Sequence, residues 1–265
     1  MYMIDYHHHT DNSFDSKAKM EEVCEQAIKN GIKEICFTEH YSVNPVAPTY
    51  GHMDFSRYLG QINYCREKYH KYLTIKAGIE LCEPHLLKGD YENKLRKNEF
   101  DFILGSIHNI NNQKLRIYLK DKSANEVYRG YFSELYQLVA HADIDALAHF
   151  DLMKRYAVKT IGTYNFDDFK EIIAAILEKG IERGIGIEIN TSGLNNKLLE
   201  ETLPSIEVLK LYKDLGGELL TIGSDSHRAH TVGAYLGEAI SLAKQAGFTH
   251  LFTYDQRTPK AIKIS

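Results

Sequence analysis

Asp5-Tyr6-His7-His8-His9, near the start of the chain, predicts a β-strand that ends in a run of histidines. Side chains of a strand alternate between its two faces, so His7 and His9 would share one face with Asp5. Two imidazoles side by side at a strand end supply half of a metal site. The other interpretation, a purification tag, is disfavoured because these histidines are embedded in a plausible strand.

The composition indicates a globular protein with one large core. The chain has 265 residues, 43% of them hydrophobic and 26% charged, and we expect a single domain over residues 1–265. Its net charge is −4 and it has no Lys/Arg run, which argues against binding nucleic acid. We find neither an apolar stretch long enough to span a membrane nor a signal peptide, so we expect a cytoplasmic protein.

Seven predicted strands alternate with helices along the chain. We expect strands at residues 2–7, 33–39, 74–81, 102–106, 146–150, 185–190 and 219–223, and a short extended tail at 251–254. We expect helices at residues 16–30, with Ser16 as N-cap, and at 55–72, 84–98, 124–141, 166–183, 204–215 and 231–246. Parallel neighbours need crossover connections, so this repetition predicts an α/β fold with a closed or nearly closed barrel.

Three polar segments are expected to form loops on the rim where the strands end. They are residues 41–54, 109–122, with a short hairpin, and 153–165. The cysteines Cys24, Cys36, Cys65 and Cys82 lack Cys-x-x-Cys spacing, which argues against a zinc knuckle or a redox pair. We expect them to be reduced and mostly buried.

Histidines and carboxylates stand at the ends of six of the seven predicted strands. They are His7, His9, His40, Glu80, His108, His149, Asp225 and His227. Barrel strands bring their ends together around one axis, and these ligand types suit zinc, manganese or iron. Eight ligands exceed what one tetrahedral ion uses, so we expect at least two ions and favour three. Asp15 is either a further ligand or a carboxylate at a helix start.

The same residues carry a resemblance to a known family. The motifs are Asp5-x-His7-x-His9, Thr38-Glu39-His40, Gly78-Ile79-Glu80, Gly105-Ser106-Ile107-His108, Ala148-His149 and Ser224-Asp225-Ser226-His227. In order and approximate spacing they resemble the PHP (polymerase and histidinol phosphatase) family, over nearly the whole chain. The length is similar to that of its stand-alone histidinol-phosphate phosphatases. The resemblance implies a distorted (β/α)7 TIM-like barrel with three divalent metal ions.

The resemblance also implies how the ligands would be shared. His7, His9, Glu80 and Asp225 would hold one ion, and Glu80 would bridge to a second ion held by His108 and His149. Asp15, His40 and His227 would hold the third ion, although some family members have His in place of Asp15. Glu80, His9 and Asp225 are the residues to which we assign a catalytic role.

Such a site would be cationic and would suit a phosphate dianion. Our hypothesis is in-line attack on phosphorus by a metal-bound hydroxide. The resemblance implies hydrolysis of L-histidinol phosphate to L-histidinol in histidine biosynthesis. Arg155 and Arg228 are predicted to grip the phosphate, although solvated rim cations are the ordinary alternative. Glu39 is expected to make a structural ion pair.

Two further functions stay open on sequence grounds. One is a PHP phosphoesterase that acts on another small phosphate or on nucleotides, because metals recognise phosphate and not the leaving group. The other is a non-catalytic, metal-binding PHP module. For histidinol-phosphate hydrolysis and for the other phosphoesterase, the expected partner is a small phosphate monoester. The sequence does not indicate an oligomeric state.

Overall fold

The computed structural model describes residues 2–264, which alternate strands and helices. The strands are β1 (Met3–His8), β2 (Ile32–Tyr41), β3 (Thr74–Cys82), β4 (Phe102–Ser106), β5 (Asn109–Ile110), β6 (Gln113–Lys114), β7 (Ala146–Leu147), β8 (Gly186–Asn190), β9 (Leu220–Gly223), β10 (His250–Asp255) and β11 (Thr258–Lys263). The helices are α1 (Met20–Lys29), α2 (Phe55–Tyr69), α3 (Lys88–Leu95), α4 (Leu115–Tyr118), α5 (Ala124–His141), α6 (Met153–Ala157), α7 (Phe166–Glu182), α8 (Ile206–Asp214) and α9 (Leu236–Gln245).

Seven parallel strands form one curved sheet in the order β1-β2-β3-β4-β7-β8-β9. Its two edges meet where β1 and β9 end: the Asp225 amide donates to the His7 carbonyl (2.8 Å), and the His9 amide donates to the Ser226 carbonyl (2.9 Å). Asp5 holds the same seam, because its carboxylate accepts the Ser224 amide and hydroxyl at 2.9 and 2.6 Å. The predicted barrel of seven βα units is confirmed, and it is nearly closed.

The core consists of the inward faces of the strands and the apolar stripes of the helices around them. In α7, for example, Phe169, Ile173, Ile176 and Leu177 are buried at helical spacing. All four cysteines are buried and free, as expected. No helix among residues 2–264 is both long and apolar enough to cross a bilayer.

The β10–β11 hairpin closes the end of the barrel opposite to the strand C-termini. Tyr254 donates its amide to the Tyr6 hydroxyl (2.8 Å), and Arg257 forms ion pairs with Asp143 and Asp145 in the loop before β7. The predicted extended tail at 251–254 is therefore one strand of a two-stranded structure.

Some predicted boundaries were wrong. Residues 153–165, predicted to be a loop, contain the short helix α6, and β7 is only two residues long. Helix α1 begins at Met20, and Ser16 is not its N-cap. The Ser16 hydroxyl instead contacts the carbonyls of His9 and His227, because tertiary contacts outweighed a local capping preference.

Candidate metal centre

The C-terminal ends of the strands surround a cavity of about 350 Å³. Five of the nine predicted ligands line it: Asp15, His40, His108, Asp225 and His227. The other four contact these five or one another: His7, His9, Glu80 and His149. Most are buried, although His108 and His227 keep about a quarter of their side chains exposed, and Asp15 more than a third. The barrel brings these residues together from strand ends and loops that are far apart in sequence.

Four donor atoms form a first set: Nε2 of His7, Nε2 of His9, Oε2 of Glu80 and Oδ1 of Asp225. The two imidazole nitrogens lie 3.0 Å apart, and the nitrogen-to-oxygen distances are 3.5–3.7 Å. A tetrahedral zinc ion with bonds of about 2.0–2.1 Å would separate its ligand atoms by roughly 3.3–3.4 Å. The set therefore has the size that one such ion requires.

The second oxygen of Glu80 belongs to a second set. Its Oε1 lies 3.0 Å from Nε2 of His149 and 3.6 Å from Nε2 of His108. One carboxylate thus faces two groups of imidazoles with different oxygens. This arrangement is typical of a carboxylate that bridges two metal ions.

Asp15 is the centre of a third set. Its Oδ2 lies 3.5 Å from Nε2 of His40 and 3.4 Å from Nε2 of His227. The ring of His9 lies between those two imidazoles, with centroid distances of 4.1 and 4.3 Å. Asp15 also lies five residues before α1, so the alternative of a carboxylate at a helix start does not describe it.

The electrostatics of the sets favour a bound cation. Burial alone would raise the pKa of Glu80, but the imidazoles of His40, His108 and His7 outweigh it and hold this pKa well below its usual value. Conversely, burial would lower the pKa of His7, but the carboxylates of Glu188, Asp225 and Glu80 raise it well above the usual value. Carboxylates that stay ionised and draw a proton onto a buried imidazole would equally attract a divalent ion.

Two of the imidazoles are held by residues that the sequence analysis missed or misread. The Glu188 carboxylate on β8 contacts Nδ1 of His7 (2.7 Å) with one oxygen and accepts the amide of His149 (2.8 Å) with the other. Nδ1 of His9 contacts the Ser13 hydroxyl (3.1 Å), which donates to Glu39 (2.6 Å). Glu39 thus makes hydrogen bonds and not the predicted ion pair. Contacts of this kind fix the orientation of metal-binding imidazoles.

Glu83 holds the turn that carries His108. This residue is buried and has a φ of 47°, a conformation that residues other than glycine rarely adopt. Its carboxylate accepts the amides of His108 and Asn109 at 2.5 and 2.8 Å. The signal in the sequence was a carboxylate two residues beyond the predicted strand 74–81, which by itself is too common to be noticed.

The two predicted phosphate-binding arginines are placed differently. Arg155 lines the cavity, and its guanidinium lies 3.0 Å from Oδ2 of Asp225 and also contacts the Ser192 hydroxyl. Arg228 is exposed and does not line the cavity. Residues 109–122 contribute two cavity-lining cations, Lys114 and Arg116, that the sequence analysis did not single out.

Comparison with known proteins agrees with this geometry. A family model described as the PHP domain matches residues 5–192 of the chain. The chain belongs to the PHP family. Asp225 and His227, which complete the sets, lie beyond the matched residues of that family model.

Two relatives that align over nearly their whole length are named for one substrate. A Clostridium acetobutylicum protein described as a probable histidinol-phosphatase is 33% identical, covering 97% of this chain and 99% of its own length. The histidinol-phosphatase of Lactococcus lactis is 29% identical over 99% of this chain and 100% of that protein. The crystal structure of the Lactococcus lactis histidinol phosphate phosphatase, complexed with zinc, L-histidinol and phosphate, aligns with a TM-score of 0.89, covers 97% of this chain and 98% of that one, and is 27% identical.

Proposed function

We propose that this PHP-family protein hydrolyses L-histidinol phosphate to L-histidinol and phosphate with the help of three divalent metal ions. The observation that carries the proposal is the division of the Glu80 oxygens between two donor sets, beside a third set around Asp15. The full-length similarity to histidinol-phosphatases supports the choice of substrate. Zinc is the favoured metal because it is named in the similar crystal structure, and manganese or iron would suit the same ligands.

The donor sets fit such ions. Three sets are present, the distances in the first match a tetrahedral ion, and Oε2 of Glu80 is buried and faces Nε2 of His7 and of His9 at 3.6 and 3.7 Å. We assign His7, His9, Glu80 and Asp225 to one ion, and Glu80, His108 and His149 to a second. Asp15, His40 and His227 are assigned to the third.

The ions, when bound, supply an activated water and positive charge for the phosphate oxygens and the leaving alkoxide. The protein's own contribution is to hold and to orient. Arg155 is fixed at the edge of the first set by Asp225 and Ser192, so its guanidinium is positioned to bind phosphate in a bidentate manner. Glu80, His9 and Asp225 keep the first set in place next to that phosphate. For Arg228 we propose a contact with the substrate at the cavity mouth, because Arg228 follows His227 in the chain and is exposed.

The test combines metal analysis and a substrate panel on one preparation. We expect about three divalent ions per chain and phosphate release that is fastest, by kcat/KM, with L-histidinol phosphate. The panel contains other amino-alcohol phosphates, sugar phosphates and nucleoside monophosphates. Equal or faster hydrolysis of a different member would assign another substrate. Absence of hydrolysis by metal-loaded protein would indicate the non-catalytic module.

A further inference from the structure

Cys82 is a thiol at the metal centre that the three donor sets do not use. It follows Glu80 by two residues on β3, so it lies on the same face of the strand. The residue is 4% exposed and its side chain lines the cavity. The other three cysteines are buried and do not line this cavity, so this thiol is distinguished by its place at the site.

Two imidazoles face this thiol. The sulfur lies 3.4 Å from Nδ1 of His108, and one donor atom each of Cys82, His40 and His108 lie within 4.8 Å of one another. His40 is 93% buried, and its Nδ1 lies 2.5 Å from Oε2 of Glu80. A buried thiol with two imidazoles this close offers the donors of a mixed nitrogen–sulfur metal site.

The chemistry of this group differs from that of the three donor sets. Those sets contain only nitrogen and oxygen donors, which can bind manganese and iron as well as zinc. A thiolate is a soft ligand, and it selects zinc and cadmium over manganese or magnesium. The rim of the barrel therefore offers two kinds of site that share His40 and His108.

We propose that Cys82, His40 and His108 form a fourth donor set that binds thiophilic divalent ions in competition with the sets around Glu80 and Asp15. Binding displaces the thiol proton to solvent, so that the sulfur coordinates as thiolate. His108 faces Cys82 with Nδ1 and the second set with Nε2. A neutral imidazole that coordinates through Nδ1 carries its proton on Nε2, so occupation of this set withdraws His108 from the second set, and the protein then loses one of its hard-ligand ions. The proposal rests on the metal sets of the proposed function but not on its substrate.

Cadmium titration of the metal-free protein, without any substrate, tests the proposal. We expect a thiolate-to-cadmium charge-transfer absorption in the ultraviolet that is lost in Cys82→Ser. The matched control is Cys65→Ser, which removes a buried thiol that contacts Cys24 away from the site and should leave the absorption unchanged. Because losing a residue that merely orients a ligand costs about 10–100-fold in metal affinity, losing the sulfur should cost more than that.

A second measurement uses only the unmodified protein, so it does not depend on how well the variants fold. Native protein is alkylated with and without cadmium, and the modified cysteine is identified by mass spectrometry. Cadmium should slow alkylation of Cys82 by at least about tenfold, because a coordinated thiolate is not free to react. Absence of the absorption in the native protein, its survival in Cys82→Ser, or equal alkylation with and without cadmium would each overturn the proposal. Both readouts are independent of phosphatase activity, so failure of one proposal is separable from failure of the other.

Discussion

Replacing Glu188 by Gln should prevent His7 from binding metal, although His7 itself is unchanged. Oε2 of Glu188 accepts two hydrogens, from the amide of His149 and from the Asn190 side chain, at 2.8 and 3.0 Å. Oε1 faces Nδ1 of His7 at 2.7 Å. A glutamine satisfies the two donors only if its carbonyl oxygen takes the Oε2 position, and its amide NH2 then faces His7.

This rearrangement reverses the tautomer of His7. In the metal-loaded wild type, Nδ1 of His7 would carry the proton and donate to Glu188, which leaves Nε2 for the first donor set. Facing an NH2 group, Nδ1 must become the acceptor, and the proton moves to Nε2, where it blocks a metal ion. Changes in residues that orient metal ligands cost about 10–100-fold in affinity, equivalent to about 1.4–2.7 kcal/mol.

The assay is competition of the protein with a chelator for zinc, with activity measured at saturating metal in parallel. We expect Glu188→Gln to lose one ion at chelator concentrations that the wild type withstands. Glu34→Gln is the matched control, because Glu34 is a buried carboxylate on β2 that accepts from the Tyr6 hydroxyl far from the metal sets. If both variants keep wild-type affinity, or both weaken it equally, His7 is not oriented in the way described.

Three further predictions concern the phosphate contact, the bridge and acid stability. Arg155→Ala should lower kcat/KM by about 10- to 100-fold with unchanged metal content, because that factor corresponds to one hydrogen bond to a charged group. Arg228→Ala should lower kcat/KM less. A loss of metal in Arg155→Ala that matches its loss of activity would contradict a phosphate role. Glu80→Ala should lose more metal per chain than His149→Ala, measured by elemental analysis, because only Glu80 takes part in two sets; equal losses would count against the bridge. His8 is fully buried, and burial lowers its pKa to about 3. The folded state therefore keeps His8 neutral, whereas the unfolded state takes up a proton below pH 6.5. The contribution of neutral His8 to stability is present above pH 6.5 and is lost as the pH falls towards 3. His8→Leu should thus gain about 3 kcal/mol over the wild type between pH 7 and pH 4, measured by denaturant unfolding of metal-free protein, and a pH-independent difference between the two would refute the assignment.

The local pattern of apolar residues in the sequence predicted most of the helices and strands. Strand β4 and helix α5 have the expected boundaries, because each has a continuous or periodic apolar pattern between clear end signals. Helix α6 was missed because five residues carry too little periodicity to be recognised. The Ser16 N-cap was wrong because its hydroxyl is used by carbonyls that lie next to it only in the folded chain.

The ligand residues could be named from the sequence because each stands at the end of a strand, and parallel strands of a barrel end at the same rim. The sequence by itself determined this much: the βα repetition, the residues at the strand ends and the likeness to the PHP motifs. What it left open depends on distances between side chains from different strands. Only the tertiary structure decided that Glu80 divides its oxygens between two sets, that Glu188 orients His7, and that Cys82 faces His40 and His108. The physical reason is that hydrogen bonding and coordination act over about 2–4 Å, whereas a sequence pattern fixes only the face and the end of an element.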